Sequence, residues 1–282
     1  MDNEIGVFST SLGIADPVEA LAKISELGFP VLQLGPLPSE WYSEEGTERL
    51  KERLKAAQLK VSAVCAAFEG ESYADMPTVR RTVGYLPAET MEARLEHTQA
   101  CARAAARLGA TLVTTHVGVI PSDRECEDYR RVVRATQRAA DSCADLGVTF
   151  GLETGQETPE ELLAFLGAVD RANVKINFDP ANLILYGTGR PLEALDALGD
   201  YVVHVHVKDG LPPSAPEQLG QEVPLGEGEV GMEAYLRKLA ALRYGGPLII
   251  EREAGQDRIG DILRGRDLLQ SLMAGIASGE RR

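Results

Sequence analysis

The chain has 282 residues, 44% hydrophobic and 26% charged, enough apolar side chains for a large core under a soluble surface. A formal net charge of −14 makes nucleic acid and anionic membranes poor partners, and no apolar run reaches the roughly 18 residues needed to span a bilayer. The amino terminus, Met1-Asp2-Asn3-Glu4, lacks the features of a secretory leader, and Cys65, Cys101, Cys126 and Cys143 form no CxxC pair, so free thiols in a reducing cytoplasm are expected.

Ile5–Ser9 reads as a first buried strand. Asp16-Pro17-Val18-Glu19 supplies an N-cap, a helix-starting proline and a capping-box Glu. Leu21, Ile24 and Leu27 follow at helical spacing until Gly28. Val31–Leu34 is the second strand, and Trp41-Tyr42 beyond it read as either a loop anchor or a substrate wall. Glu45–Gln58 reads as a charged surface helix before the third strand, Lys60–Ala66. Glu69–Ala88 is a long connection without a recognisable element. The next helix runs from about Glu92 to Leu108, with His97 expected on the barrel exterior and given no role.

Strands then recur at Thr111–His116, Val148–Glu153, Val174–Asp179, Tyr201–Val207 and Leu248–Glu253. Helical patterns run from about Tyr129 to Leu146, Pro191 to Leu198, Met232 to Leu242 and Ile259 to Met273. Thr158-Pro159-Glu160-Glu161 starts another, ahead of Leu162, Leu163 and Leu166. Asp209–Gly231 is a second long connection, at the carboxyl end of its strand, where barrel active sites form. Strand and helix alternate eight times, which demands a parallel sheet. The expected fold is α/β, a single (β/α)8 TIM barrel forming one domain over 1–282. No GxGxxG follows the first strand, which argues against a dinucleotide-binding fold.

The chemistry gathers at strand ends. His116, Glu153, Asp179, His204, His206, Glu251 and Glu253 each follow or close an apolar run. Singly, each could be a strand-end cap. Together, at one topological position on consecutive strands, they would relieve their desolvation cost by sharing a cation. Two or three carboxylates with an imidazole suit Mn²⁺, Mg²⁺, Co²⁺ or Zn²⁺. His204 and His206 point the same way along their strand, so residue spacing does not choose between them, nor between Glu251 and Glu253. Gly226-Glu227-Gly228 offers backbone freedom where barrels often bind phosphate, yet 216–230 contains no Lys or Arg.

The strings Leu152-Glu153-Thr154-Gly155, Asn177-Phe178-Asp179-Pro180-Ala181-Asn182, His204-Val205-His206-Val207-Lys208-Asp209, Pro224-Leu225-Gly226-Glu227-Gly228 and Ile250-Glu251-Arg252-Glu253 resemble the xylose isomerase-like TIM-barrel superfamily. Within it they resemble the sugar phosphate isomerase/epimerase members, among them ketose 3-epimerases. The resemblance implies one divalent metal, Mn²⁺ first among the choices, held by Glu153, Asp179, His206 and Glu251. It implies isomerisation or epimerisation of a small sugar, keto-sugar or sugar phosphate, by proton abstraction beside a carbonyl through a metal-stabilised enediolate. Glu153 and Glu251 would double as the acid/base pair, and His116, Asn182, His204 and Lys208 are expected to contact substrate. Asn182 stands where the epimerases often carry a His, so the substrate stays open. The alternatives are a metal-dependent dehydratase on an inosose-like substrate, an AP endonuclease-like hydrolase, and a sugar-binding barrel without turnover. The family also makes a homodimer an expectation.

Overall fold

The computed structural model describes residues 1–279. Among the described residues, ten strands and ten α-helices follow one another along the chain. Eight strands close a parallel barrel: β1 (Ile5–Phe8), β2 (Val31–Leu34), β3 (Lys60–Cys65), β4 (Leu112–Thr115), β5 (Thr149–Glu153), β6 (Val174–Phe178), β7 (Val202–Val207) and β10 (Leu248–Ile250). The seam is β1 against β10, with Val7 opposite Ile250. β2 and β4 are buried at every residue, as strands between a filled interior and a helical coat must be. This is the single (β/α)8 barrel that the alternation of elements implies. Observed strands stop one to three residues short of several expected ends, because those residues turn out of the ladder into the rim.

The helical coat is α1 (Pro17–Glu26), α2 (Glu44–Ala56), α4 (Met91–Leu108), α5 (Glu127–Ala144), α6 (Pro159–Val169), α8 (Pro191–Leu198), α9 (Met232–Ala241) and α10 (Arg258–Gly279). Asp16 caps α1 through its side chain, and Thr158 with Glu161 forms the capping box of α6. α2 is charged as expected, but Leu50 and Leu54 bury one of its faces. Among the described residues, no helix is long and apolar enough to cross a membrane.

The two long connections are structured. Residues 69–88 contain α3 (Met76–Thr82), started by Asp75 as N-cap. Residues 209–231 contain an antiparallel ribbon of β8 (Asp209–Leu211) and β9 (Gln221–Val223). The loops meet over the mouth: Met76 N–H donates to the Glu217 carbonyl at 3.0 Å, and Arg80 pairs with the Glu217 carboxylate at 2.6 Å. Gly84, at φ +71°, lets the first loop press on the exit of β4; a Cβ there would stand 1.9 Å from the Val117 carbonyl carbon.

One further element, besides α3 and the β8–β9 ribbon, was not foreseen. A short helix α7 (Pro180–Leu185) follows β6 directly, and six residues are too few to show a helical period. Trp41 and Tyr42 are buried, and Tyr42 Oη accepts the Leu37 N–H at 3.0 Å; they anchor their loop and do not line the main cavity.

Candidate functional site

The carboxyl ends of the strands surround a cavity of about 1030 Å³. Four buried side chains meet at its floor. Glu153 closes β5, Asp179 follows β6, His206 lies on β7 and Glu251 follows β10. One ligand atom from each lies within 4.8 Å of all the others. His206 Nδ1 is the hub, 3.1 Å from Glu251 Oε2, 3.4 Å from Asp179 Oδ2 and 3.5 Å from Glu153 Oε1.

Each group is held from behind. Asp179 is the N-cap of α7, its Oδ1 accepting the N–H groups of Ala181 at 2.8 Å and Asn182 at 3.1 Å, which leaves Oδ2 for the cluster. Thr154 Oγ accepts the Asp179 N–H at 2.8 Å and donates to its carbonyl at 2.9 Å. Glu153 Oε2 accepts from Asn177 Nδ2, and Oε1 from Asn182 Nδ2, both at 3.2 Å. Gln33 Oε1 lies 2.7 Å from His206 Nε2, so it takes that N–H and holds the ring with Nδ1 toward the carboxylates.

Lys208 Nζ closes the cluster, 3.0 Å from Glu251 and 2.6 Å from Glu253. Burial alone would lower its pKa, but Glu251, Glu253, Asp179 and Glu222 outweigh that and hold the ammonium well above its ordinary range. The same contest raises His206: burial disfavours its charge, and Glu251 and Glu153 prevail. Glu153 is pushed upward by burial and, more strongly, downward by His116 and His206, so it stays ionised well below the usual carboxylate range. His116 Nε2 is 3.4 Å from Glu153 Oε1, and its pKa rises to about 9 because Glu153, Glu71 and Glu157 overcome its burial.

His116, Asn182 and Lys208 all line the cavity beside Glu153 and Glu251. His204 does not. Its Nδ1 is 2.8 Å from Asn177 Oδ1 and its Nε2 3.0 Å from Ser62 Oγ, deeper in the barrel than the cluster. Burial, reinforced by His206, lowers its pKa to about 3, so it is neutral. It therefore positions Asn177, which holds Glu153, instead of touching substrate as expected. A register shift between Ile176 and Asn177 brings Asn177 opposite His204. Glu253 is mostly exposed and belongs to Lys208, which leaves Glu251 in the cluster. His97 lies on α4, in the helical coat outside the barrel, where it is half-buried and packs edge-on against Tyr42 at 5.0 Å. The four cysteines are free.

Sequence reasoning missed Gln33, Asn177, Glu71 and Glu157. Gln33 and Asn177 had a signal: each is a lone polar residue inside an apolar strand, Val31-Leu32-Gln33-Leu34 and Ile176-Asn177-Phe178. Glu71 and Glu157 lie in loops, where carboxylates are common and carry no signal.

Three carboxylates and one imidazole, buried and converged to this degree, fit a single divalent cation. Ligands on opposite sides of one such ion stand roughly 4.2 Å apart.

Residues 21–272 match the model of the xylose isomerase-like TIM barrel family. Among solved structures, a xylose isomerase domain protein from Planctomyces limnophilus is 38% identical over 98% of this chain and 99% of its own, with a TM-score of 0.90. A D-tagatose 3-epimerase-like protein is 20% identical, covering 98% and 99% of the two chains, with a TM-score of 0.78. A xylose isomerase-like TIM barrel protein from Mycobacterium smegmatis, in complex with magnesium, is 19% identical over 98% of each chain, with a TM-score of 0.75. No curated protein matches this sequence.

Proposed function

This chain belongs to the xylose isomerase-like TIM barrel family, and on that premise we propose that it is a divalent-metal-dependent isomerase or epimerase of a small carbohydrate. The observation that carries the reading is the convergence of Glu153, Asp179, His206 and Glu251 at the floor of an open cavity. A cation held by these four, Mn²⁺ first and Mg²⁺, Co²⁺ or Zn²⁺ as substitutes, would supply Lewis acidity toward a carbonyl and its neighbouring hydroxyl.

The chain's own residues then account for the proton. Glu153 and Glu251 stem from β5 and the end of β10, three strands apart around the barrel, so they approach a bound substrate from different sides. One carboxylate takes the proton beside the carbonyl. The other returns it to the opposite face for epimerisation, or at the adjacent carbon for isomerisation. Lys208 holds Glu251 by a charge-assisted hydrogen bond, while Asn182 and Asn177 hold the two oxygens of Glu153. Lys208, His116 and Asn182 also face the cavity and can donate to substrate oxygens.

The test is metal analysis of the purified protein, then deuterium exchange in D₂O with a panel of ketoses, keto-sugars and inososes in the presence of Mn²⁺. Exchange should depend on metal, and Glu153→Gln and Glu251→Gln should each abolish it. Near-normal exchange in both variants would remove these carboxylates from the acid/base role.

A further inference from the structure

We propose that the substrate is a neutral keto-sugar bearing a second ring or an apolar aglycone, and that sugar phosphates are excluded. The inference deepens the function proposed above and rests on it. It starts from the Gly226–Val230 segment, a glycine-rich stretch of the rim with backbone freedom of the kind that can cradle a phosphate. Its N–H groups are already taken. Gly226 and Gly228 donate to Asp209 Oδ2 at 2.9 and 3.1 Å, and Val230 donates to Asp209 Oδ1 at 3.1 Å. Asp209 is buried, so a permanent internal carboxylate fills the nest that an external anion would need.

The cavity wall points the same way. Beyond Glu153 and Glu251 it carries Glu71, Asp75, Glu222 and Glu253 and, among the described residues, no arginine. Its one lysine, Lys208, is committed to Glu251 and Glu253. His116, the wall's other basic side chain, lies 3.4 Å from Glu153, so a phosphate dianion entering here meets an excess of like charge.

Size and wall chemistry decide the rest. A cavity of about 1030 Å³ is at the upper end of the range for drug-sized ligands, roughly 300–1,000 Å³, and a single hexose leaves most of it unfilled. The same wall also carries apolar and aromatic side chains, Tyr73, Tyr186, Pro36, Leu185 and Leu219. Tyr73 is 41% exposed, and its ring stands 5.9 Å from that of His116, which itself touches Glu153. An open aromatic face one side chain from the reacting centre fits the C–H face of a second ring.

The test uses intact, Mn²⁺-loaded protein and two substrate pairs, D-fructose with isomaltulose, and methyl with phenyl 3-keto-glucoside, together with D-fructose 6-phosphate. Binding is read by calorimetry and exchange by mass spectrometry in D₂O. In at least one pair the larger member should bind about tenfold more tightly, and fructose 6-phosphate should bind more weakly than fructose. Tyr73→Ala should erase the advantage of the larger member, and Tyr73→Phe should keep it. Equal affinities within both pairs, tightest binding of the phosphate, or no binding of any probe overturns the proposal. Preferential binding of a larger member without deuterium exchange upholds the ligand class and sinks the proposed reaction. Exchange that favours the phosphate does the reverse.

Discussion

Gln33→Leu isolates the contribution of a residue that touches the metal-binding cluster only from behind. Gln33 is fully buried, with Oε1 2.7 Å from His206 Nε2 and Nε2 3.0 Å from Thr114 Oγ. Leucine keeps most of the volume and removes both polar contacts. The nearest replacement partner for the imidazole is Asn177 Nδ2, 3.2 Å from His206 Nε2, but it is a donor facing a donor. Two buried polar groups lose their partner, at about 1–3 kcal/mol each, so the apo protein should lose about 2–6 kcal/mol of stability. The imidazole is no longer held with Nδ1 toward the carboxylates. Losing such an outer partner typically weakens metal binding about 10–100-fold, or about 1.4–2.7 kcal/mol. Urea unfolding of the apo protein and a calorimetric Mn²⁺ titration read the two effects separately. A folded variant whose Mn²⁺ affinity stays within about threefold of the parent would refute the orienting role of Gln33.

Metal removal should be visible as stability. At a hundred times its Kd a cation adds about 2.7 kcal/mol, so chelation should lower the Tm by roughly 5–10 °C. Since His206 holds its proton well above the ordinary range, the cation must displace that proton, and its apparent affinity should fall as the pH is lowered; thermal scans at pH 6 and 8 with equal metal would disprove this by giving equal shifts. Glu157 is buried, and burial raises its pKa from 4.5 to about 8 despite the opposing charge of His116. The folded state therefore favours the neutral acid, a contribution fully present below the unfolded value and lost as pH rises through the folded one. Glu157→Gln, always neutral, should gain about 2–4 kcal/mol on the parent between pH 5 and 9, and a pH-independent difference in denaturant unfolding would contradict the assignment. Asp209→Ala strips the acceptor from three loop N–H groups and should cost about 2–4 kcal/mol; hydrogen exchange in 226–230 should rise first, and unchanged protection there would count against the nest.

The closed barrel and most of the site were legible in the sequence. Continuous apolar runs of strand length, separated by capped helical periods, admit few arrangements other than a parallel barrel. Ionisable residues at the ends of buried strands are costly unless they converge, so His116, Glu153, Asp179, His204, His206, Glu251 and Glu253 stood out before any geometry was known, and the family resemblance narrowed them to the four that meet, Glu153, Asp179, His206 and Glu251. Those signals are local: they depend on periodicity and on residue type at a strand end.

What only the tertiary structure decided depends on which residues from distant segments meet. His204 and His206 carry the same side chain two residues apart, and only the packing of Ser62 and Asn177 around one, and of three carboxylates around the other, makes the first a neutral prop and the second the hub. The rim loops hold α3 and the β8–β9 ribbon in place by contacts with each other and with Asp209, contacts that leave no period in either segment. Backbone N–H groups that looked free to take a phosphate are bound to a carboxylate seventeen or more residues away in the chain. Hydrophobic patterning sets the fold because burial acts on each residue by itself; hydrogen-bond partnership does not, because it exists only once the chain has closed.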